Sequence, residues 1–79
     1  MDVYIGAIVM FAGMFAPKDW AYCHGQLLSI RDHQALYSLL GNAFGGDGRT
    51  NFALPKLSDP AAQGPHYIIA LEGIYPPRP

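Results

Sequence analysis

The 79-residue sequence predicts a small α+β domain with a few short β-strands, one short helix and a glycine-rich loop. Three observations support this class: apolar, β-branched runs near both ends, one segment with helical spacing, and four glycines within residues 41–51. A chain of this length has room for one hydrophobic core. We therefore predict a single domain over residues 1–79, with a core at 1–57, a connection at 58–65, and a closing strand with a Pro-rich end at 66–79.

The first predicted element is an apolar strand over residues 3–11, bounded by Gly13 and the turn residues 17–19. Side chains alternate between the two faces of a strand, and here both sets are apolar. A strand that is apolar on both faces has to be covered on both. One face is predicted to carry Val3, Ile5, Ala7, Val9 and Phe11, and the other Tyr4, Gly6, Ile8 and Met10.

A second extended segment is predicted over residues 20–30, broken at Gly25, because glycine tolerates the positive φ of a sharp turn. The apolar period then changes to helical spacing, which predicts a helix over residues 32–40. Ser29 or Asp32 is expected to cap its N-terminus, and Gly41 its C-terminus in the left-handed conformation.

The glycine-rich residues 41–51 are expected to form a loop, after which residues 52–55 return the chain to the core. Residues 66–75 are predicted to be the last strand, with Tyr67, Ile69 and Leu71 on one face. The residues predicted for the structural core are Trp20, Cys23, Gly25, Leu36, Leu39, Leu40, Phe52 and Leu54.

Composition favours a subunit over an isolated monomer. Charged residues make up only 14% of the chain, against about 25% in typical soluble domains. A single cysteine excludes an intrachain disulfide, which leaves a metal or oligomerisation as the usual supplements for a small core. The five basic residues are scattered, so nucleic acid is not an expected partner. We expect no membrane span and no signal peptide, since glycines and Pro17 interrupt the apolar start and no basic residue precedes it.

No pattern in the chain predicts catalysis, a cofactor or a metal. The glycine-rich loop follows a helix, whereas phosphate-binding loops precede one, and only Asp47 and Asn51 could serve calcium. A local salt bridge, or bonds from these side chains to the backbone of their own turn, is expected instead. The possible zinc ligands are Cys23, His24, His33 and His66, but their spacing is not that of a structural site. We expect Cys23 to be buried and His24 and His33 to lie at the surface, and we predict a non-enzymatic protein.

The aromatic residues leave a second function open. Trp20 and Tyr22 could stack on sugar rings, and the loop at 45–51 could add polar contacts, which would make the domain a glycan-binding, adhesin-like module. The alternative is that Trp20 is a central packing element of the core.

Taken as strings, the same residues resemble the phage tail collar domain family and the microcystin-dependent proteins that share it. The opening contains IGAI at 5–8 and WAYCHGQLL at 20–28, and the middle contains FGGDG at 44–48 and TNFALPKL at 50–57. Residues 66–78 resemble the closing segment of microcystin-dependent proteins. The further matching segments are residues 11–13, 15–17 and 34–41.

The resemblance implies a structural component of a virion tail or an extracellular appendage, without a catalytic centre or cofactor, which forms homo-oligomers or joins other tail or fibre proteins. This chain departs from the family in three places. The glycine-rich segment before the closing strand is reduced to residues 60–64, His24 stands at a position that is usually acidic or amide, and Ala7 and Val9 replace polar residues. The chain therefore looks like a short form of the family that lacks the usual middle segment.

The apolar first strand predicts how the subunit assembles. Because a small domain cannot cover both faces of this strand, we expect neighbouring chains to do so. The residues predicted for the contact are Ile5, Ala7, Val9, Phe11, Tyr67, Ile69 and Leu71.

Overall fold

A computed structural model describes residues 3–77, which form five strands in two antiparallel sheets and one short helix. This arrangement confirms the α+β class and the single helix. In chain order the elements are β1 (Ile8–Phe11), β2 (Trp20–Tyr22), β3 (Leu27–Ser29), α1 (Gln34–Leu40), β4 (Asn51–Ala53) and β5 (His66–Ala70).

The last strand is the centre of the larger sheet. β5 lies between β1 and β2, and both neighbours run antiparallel to it. β3 and β4 form the second sheet, with Leu28 opposite Phe52. A bridge between His24 and Lys56 follows β2, where the chain leaves the first sheet for the second. Gly25 has a φ of +81° at this point, which confirms the predicted break in the second extended segment.

The first strand is shorter than predicted, because the chain turns before it. The N–H of Ala7 donates to the carbonyl of Tyr4 at 3.1 Å, and Gly6 between them has a φ of +87°. Gly6 N–H donates to the carbonyl of Ala70, and Ala70 N–H donates to the carbonyl of Ala7. Gly6 and Ala7 thus lie opposite the single residue Ala70, which defines a β-bulge with glycine at the positive-φ position. The bulge breaks the predicted alternation, so Ile5 is buried whereas Val9, predicted for the same face, is 46% exposed.

The helix begins two residues later than predicted. Its N-cap is His33, which makes no side-chain capping bond, so the prediction that Ser29 or Asp32 caps the helix was wrong. The C-terminal prediction holds in part: Gly41 has a φ of +58° and donates its N–H to Tyr37 at 2.7 Å, but its ψ of −151° is not left-handed helical.

The closing segment joins the two ends of the described chain. After β5 the backbone bends, and Ile74 forms a parallel bridge with Tyr4. Ile74 N–H donates to the carbonyl of Val3 at 2.8 Å, and Ile5 N–H donates to the carbonyl of Ile74 at 2.9 Å. The predicted strand over residues 66–75 therefore consists of β5 and a separate short parallel pairing.

The core lies between the helix and the two sheets. Phe52 and Leu54 on the returning segment are completely buried, as expected for residues 52–55, and Leu36 is the one buried residue of α1. Tyr37 packs against Phe52 with ring centroids 5.3 Å apart. The buried cluster consists of Ile5, Cys23, Leu36, Phe52, Leu54 and Ile69.

Candidate functional site

β1 forms an open edge of the larger sheet. The N–H of Ala70 donates to the carbonyl of Ala7, and this bond determines which residues of β1 are hydrogen-bonded to β5. Since backbone bonds alternate along an antiparallel pair, Val9 and Phe11 also direct their backbone groups towards β5. Ile8 and Met10 then direct theirs away from the sheet. Within residues 3–77 no other strand pairs with this side of β1.

The opposite edge, formed by β2, is partly closed by the chain itself. Trp20 N–H donates to the carbonyl of Pro17 at 3.1 Å. The carbonyl of Tyr22 accepts a bond from Gln26 Nε2 at 2.8 Å. An unprotected edge offers its free N–H and C=O groups to any further strand. Of the two edges of the sheet, β1 is therefore the more available for pairing.

The side chains along β1 are apolar and exposed. Val9 is 46% exposed and Met10 58%, and the connection to β2 adds Met14 at 97% and Phe15 at 78%. Together with Ile8 these four residues are called the apolar edge below. No charged residue occurs between positions 3 and 17, although sheet edges are usually protected by charges. An exposed apolar surface of this kind typically marks a contact with another chain.

The residues predicted for assembly lie in three environments. Ile5 and Ile69 belong to the core of the domain itself, so their side chains are not available to a neighbour. Leu71 packs against that core. Ala7 and Phe11 are half-buried, whereas Val9 and Tyr67 are exposed.

The sequence reasoning left Ile8 and Met10 out of the assembly residues, although both are exposed at the open edge. Their signal in the sequence is that both are large apolar residues on the second face of the same uncharged strand.

The residues predicted for the core differ in how deeply they are buried. Cys23, Leu36, Phe52 and Leu54 are completely buried, and Leu40 packs against them. Leu39 lies outside the buried cluster and is 38% exposed, although it follows Leu36 by three residues and so lies on a similar side of the helix. Gly25 is half-buried in the turn after β2, where an added Cβ would approach the Cβ of Lys56 to 3.2 Å.

Trp20 is half-buried at the start of β2 and is not part of the buried cluster. It lines a cavity of about 360 Å³ together with Lys18, Asp19 and Glu72. Asp19 has a φ of +66°, the only positive value of a non-glycine residue between positions 3 and 77. The cavity thus combines one aromatic ring and three charged side chains with Val3, Gly73 and Ile74.

Two histidines that are 42 residues apart in sequence meet at a second cavity. His24 Nε2 lies 3.2 Å from His66 Nδ1, and His66 Nε2 lies 3.1 Å from the carbonyl of Ala62. A carbonyl can only accept, so His66 carries its proton on Nε2 and its Nδ1 accepts a bond from His24. Tyr22 stacks on His24 with ring centroids 4.9 Å apart, and its hydroxyl donates to the carbonyl of Gly13 at 3.1 Å. The cavity has a volume of about 520 Å³.

The surroundings of His24 shift its pKa. Burial and the neighbouring His66 lower the pKa of His24, while Asp59 acts in the opposite direction. His24 is half-buried and not simply a surface residue as expected, because it is stacked on Tyr22. Cys23 is completely buried, as expected, and burial raises the pKa of its thiol. The raised pKa lowers the fraction of thiolate, which is the form of cysteine that attacks electrophiles and binds metals.

The glycine-rich loop is organised by one carboxylate. Asp47 Oδ1 accepts the N–H groups of Arg49, Thr50 and Asn51 at 2.8–3.1 Å, and its Oδ2 accepts the hydroxyl of Thr50 at 2.9 Å. Asn51 Oδ1 in turn accepts the N–H of Asp47. Both side chains bond within their own turn, as expected. These four donors hold the pKa of Asp47 well below its usual range.

Replacing Asp47 with Ala is expected to lower stability at neutral pH, and the loss should shrink in acid. Because the folded state lowers the pKa of this carboxyl, its stabilising effect is complete well above the ordinary value of 3.8 and disappears as the pH falls through the folded value. Thermal unfolding followed by circular dichroism from pH 7 downwards measures this. Asp59→Ala, which removes a single bond to Ala61 N–H, is the control. A difference between parent and Asp47→Ala that stays constant with pH would contradict this account.

No helix among residues 3–77 is long and apolar enough to cross a membrane. In the same part of the chain, no three His, Cys, Asp or Glu side chains are grouped so that they could hold a metal ion together.

Comparison with known families identifies the domain. A family model described as the phage tail collar domain matches residues 6–61, which is more than half of the 79-residue chain. The matched segment contains β1 to β4 and α1, and β5 follows it. A search of curated proteins gave no match. The further resemblance of residues 66–78 to microcystin-dependent proteins stays a prediction.

Proposed function

The chain belongs to the phage tail collar domain family, and we propose that it is a tail-fibre subunit that assembles with further copies of itself through the open edge of β1. The family indicates a structural component of a virion tail. The observation that carries the assembly proposal is an edge strand with apolar side chains on both faces and two residues whose backbone groups point away from the sheet.

Energetics favour covering this edge. Complete burial of one Val, Ile or Met side chain contributes about 1.5–3 kcal/mol, and Ile8, Val9 and Met10 each remain 40% exposed or more. Pairing two edge strands would add backbone hydrogen bonds to that apolar burial. The partner edge that fits best is a second β1, since β2 already uses part of its outer backbone groups within its own chain. Antiparallel pairing of two β1 strands would join two domains into one continuous sheet around a twofold axis.

Replacing Val9 with Lys is expected to convert the assembled protein into monomers or aggregates, because the change places a charge in an apolar contact of each chain. Sedimentation velocity of the purified protein measures the change. Gln34→Lys, at an exposed position of α1, is the matched control and should assemble like the parent. A Val9→Lys protein that assembles as well as the parent would contradict the proposal, as would a parent that stays monomeric at high concentration.

A second variant separates backbone pairing from side-chain contact. Met10→Pro removes one N–H that points away from the sheet and leaves the bonds to β5 in place. Loss of assembly in Met10→Pro, with β5 pairing intact by NMR, supports strand pairing. If Met10→Pro assembles normally and Val9→Lys does not, the contact consists of side chains alone. Electron microscopy then distinguishes discrete oligomers from filaments formed by one kind of chain.

A glycan-binding, adhesin-like role is the alternative, and the cavity beside Trp20 is the observation that favours it. Its aromatic wall and charged rim have the composition of a sugar site. The other groups proposed for sugar contact are engaged within the domain, since the Tyr22 hydroxyl bonds Gly13 and the carboxylate of Asp47 bonds its own loop. A glycan array with the parent and Trp20→Ala distinguishes this role from assembly alone. The non-enzymatic character, the lack of a cofactor and a place on an extracellular appendage remain parts of the proposal.

A further inference from the structure

The strongest unexplained feature is the contact between His24 and His66. Two separate parts of the chain bring the rings together: the turn that leaves the larger sheet after β2, and the first residue of β5. Both rings line the cavity of about 520 Å³, which leaves space beside them for a further bound species. Neither the assembly edge nor the folding core requires a pair of imidazoles at this position.

From this geometry we propose that His24 Nε2 and His66 Nδ1 bind one divalent transition-metal ion, of which zinc is the reference case. Zinc binds histidine nitrogens at about 2.0–2.1 Å, so two nitrogens on a tetrahedral ion lie about 3.3 Å apart. The observed separation is 3.2 Å. The same separation suits a hydrogen bond, which is how the pair is arranged without a metal.

The proton arrangement around the pair suits a metal ligand. His66 Nε2–H is fixed by the carbonyl of Ala62, and this leaves the Nδ1 lone pair free. A backbone carbonyl on the second nitrogen is the usual means of orienting a metal-bound histidine. To offer a lone pair of its own, His24 has to move its proton from Nε2 to Nδ1, and both rings have to turn so that the two lone pairs converge beside the line between the nitrogens. Its Nε2 proton then no longer lies between the two rings, and no net proton is lost.

The ligand set indicates which ions fit. Imidazole nitrogens suit zinc, nickel and copper, whereas magnesium and calcium prefer oxygen ligands. The two rings supply two of the coordination positions, and the cavity leaves the others to water. Asp59 adds a negative charge near enough to act on His24, which favours a cation at this place.

A metal ion at this position would cross-link two distant parts of the chain. It would tie the start of β5, and through Ala62 the 58–65 connection, to the turn between the two sheets. The chain has one cysteine and a small core, so a metal is one of the few supplements open to it. This inference does not depend on the assembly proposal, since neither histidine belongs to the apolar edge, although Met14 of that edge lines the same cavity.

Titration of the full chain with zinc chloride, followed by calorimetry, tests the proposal. The parent should bind one ion per chain, and His24→Gln and His66→Gln should each bind at least about tenfold more weakly. His33→Gln is the matched control, because His33 lies before α1 and outside this cavity. It should bind like the parent. Absence of saturable binding by the parent, or an equal loss in His33→Gln, would overturn the proposal.

A measurement on the parent alone covers the case in which a variant fails to fold. Copper(II) bound to the unmodified protein should give an electron paramagnetic resonance spectrum with coupling to two imidazole nitrogens. Zinc should also raise the melting temperature, because an ion that binds only the folded state stabilises it. Copper coupled to one imidazole or none, or a melting temperature that zinc does not raise, would show that the pair is only a hydrogen bond.

Discussion

Replacing Gly46 with Ala is expected to remove a large part of the free energy of unfolding. Gly46 has a φ of +91°, and an added Cβ would lie 2.5 Å from the Cα of Phe52 and 2.9 Å from the carbonyl oxygen of Asn51. Both are backbone atoms of β4, so no side-chain rotation relieves the contact. We expect a loss of about 3 kcal/mol or more, made up of backbone strain and the displacement of a core strand. A domain of this length has only about 4–12 kcal/mol in total.

Gly64 provides the matched control for this change. It also has a positive φ, of +97°, but an added Cβ meets nothing within 4 Å. Gly64→Ala should therefore cost only the backbone strain, about 1–2 kcal/mol. Urea unfolding of both variants gives the two free energies. Equal losses would mean that the contact with β4 carries no weight and that the conformation alone explains the glycine.

Leu36→Ala is expected to have the second largest effect. Leu36 is completely buried and is the residue through which α1 enters the core. Deleting a buried leucine side chain costs about 2–5 kcal/mol, because apolar burial is lost and a cavity remains. Tyr37 and Leu40 also pack against the core, so the helix should stay in place and the loss should appear as lower stability.

Leu39→Ala is the comparison, since it makes the same chemical change on the same helix at a side chain that is 38% exposed. We expect a cost of about 1 kcal/mol or less. Thermal and urea unfolding of the two variants measure the difference. If Leu39→Ala destabilises the protein as much as Leu36→Ala, the helix does not turn Leu36 alone into the core.

Local signals in the sequence predicted much of this fold. The change from period-two to helical spacing after residue 32 located α1 to within two residues, and glycines marked the turn at position 25 and the loop after position 41. The large apolar residues that follow the loop, Phe52 and Leu54, do lie in the core. Each of these features depends on residues that are close together in the sequence, so a single sequence is enough to predict it.

What the sequence could not supply depends on contacts between distant residues. Gly6 is compatible with a continuous strand, and only its bonds to Ala70 make it a bulge that reverses the faces of the residues around it. The 3.2 Å approach of His24 to His66 depends on the pairing of β2 with β5, which no local pattern encodes. The limits of the apolar edge could therefore be drawn only from the folded domain.

The parallel pairing of Val3 and Ile5 with Ile74 has a mechanical consequence. A pull applied to residues 3 and 77 acts along two segments that lie side by side and run in the same direction. Pulling them apart along that direction shears both hydrogen bonds at once and does not open them one after the other. The domain should therefore resist such a pull more strongly than its small core suggests, because the force acts first on these two hydrogen bonds.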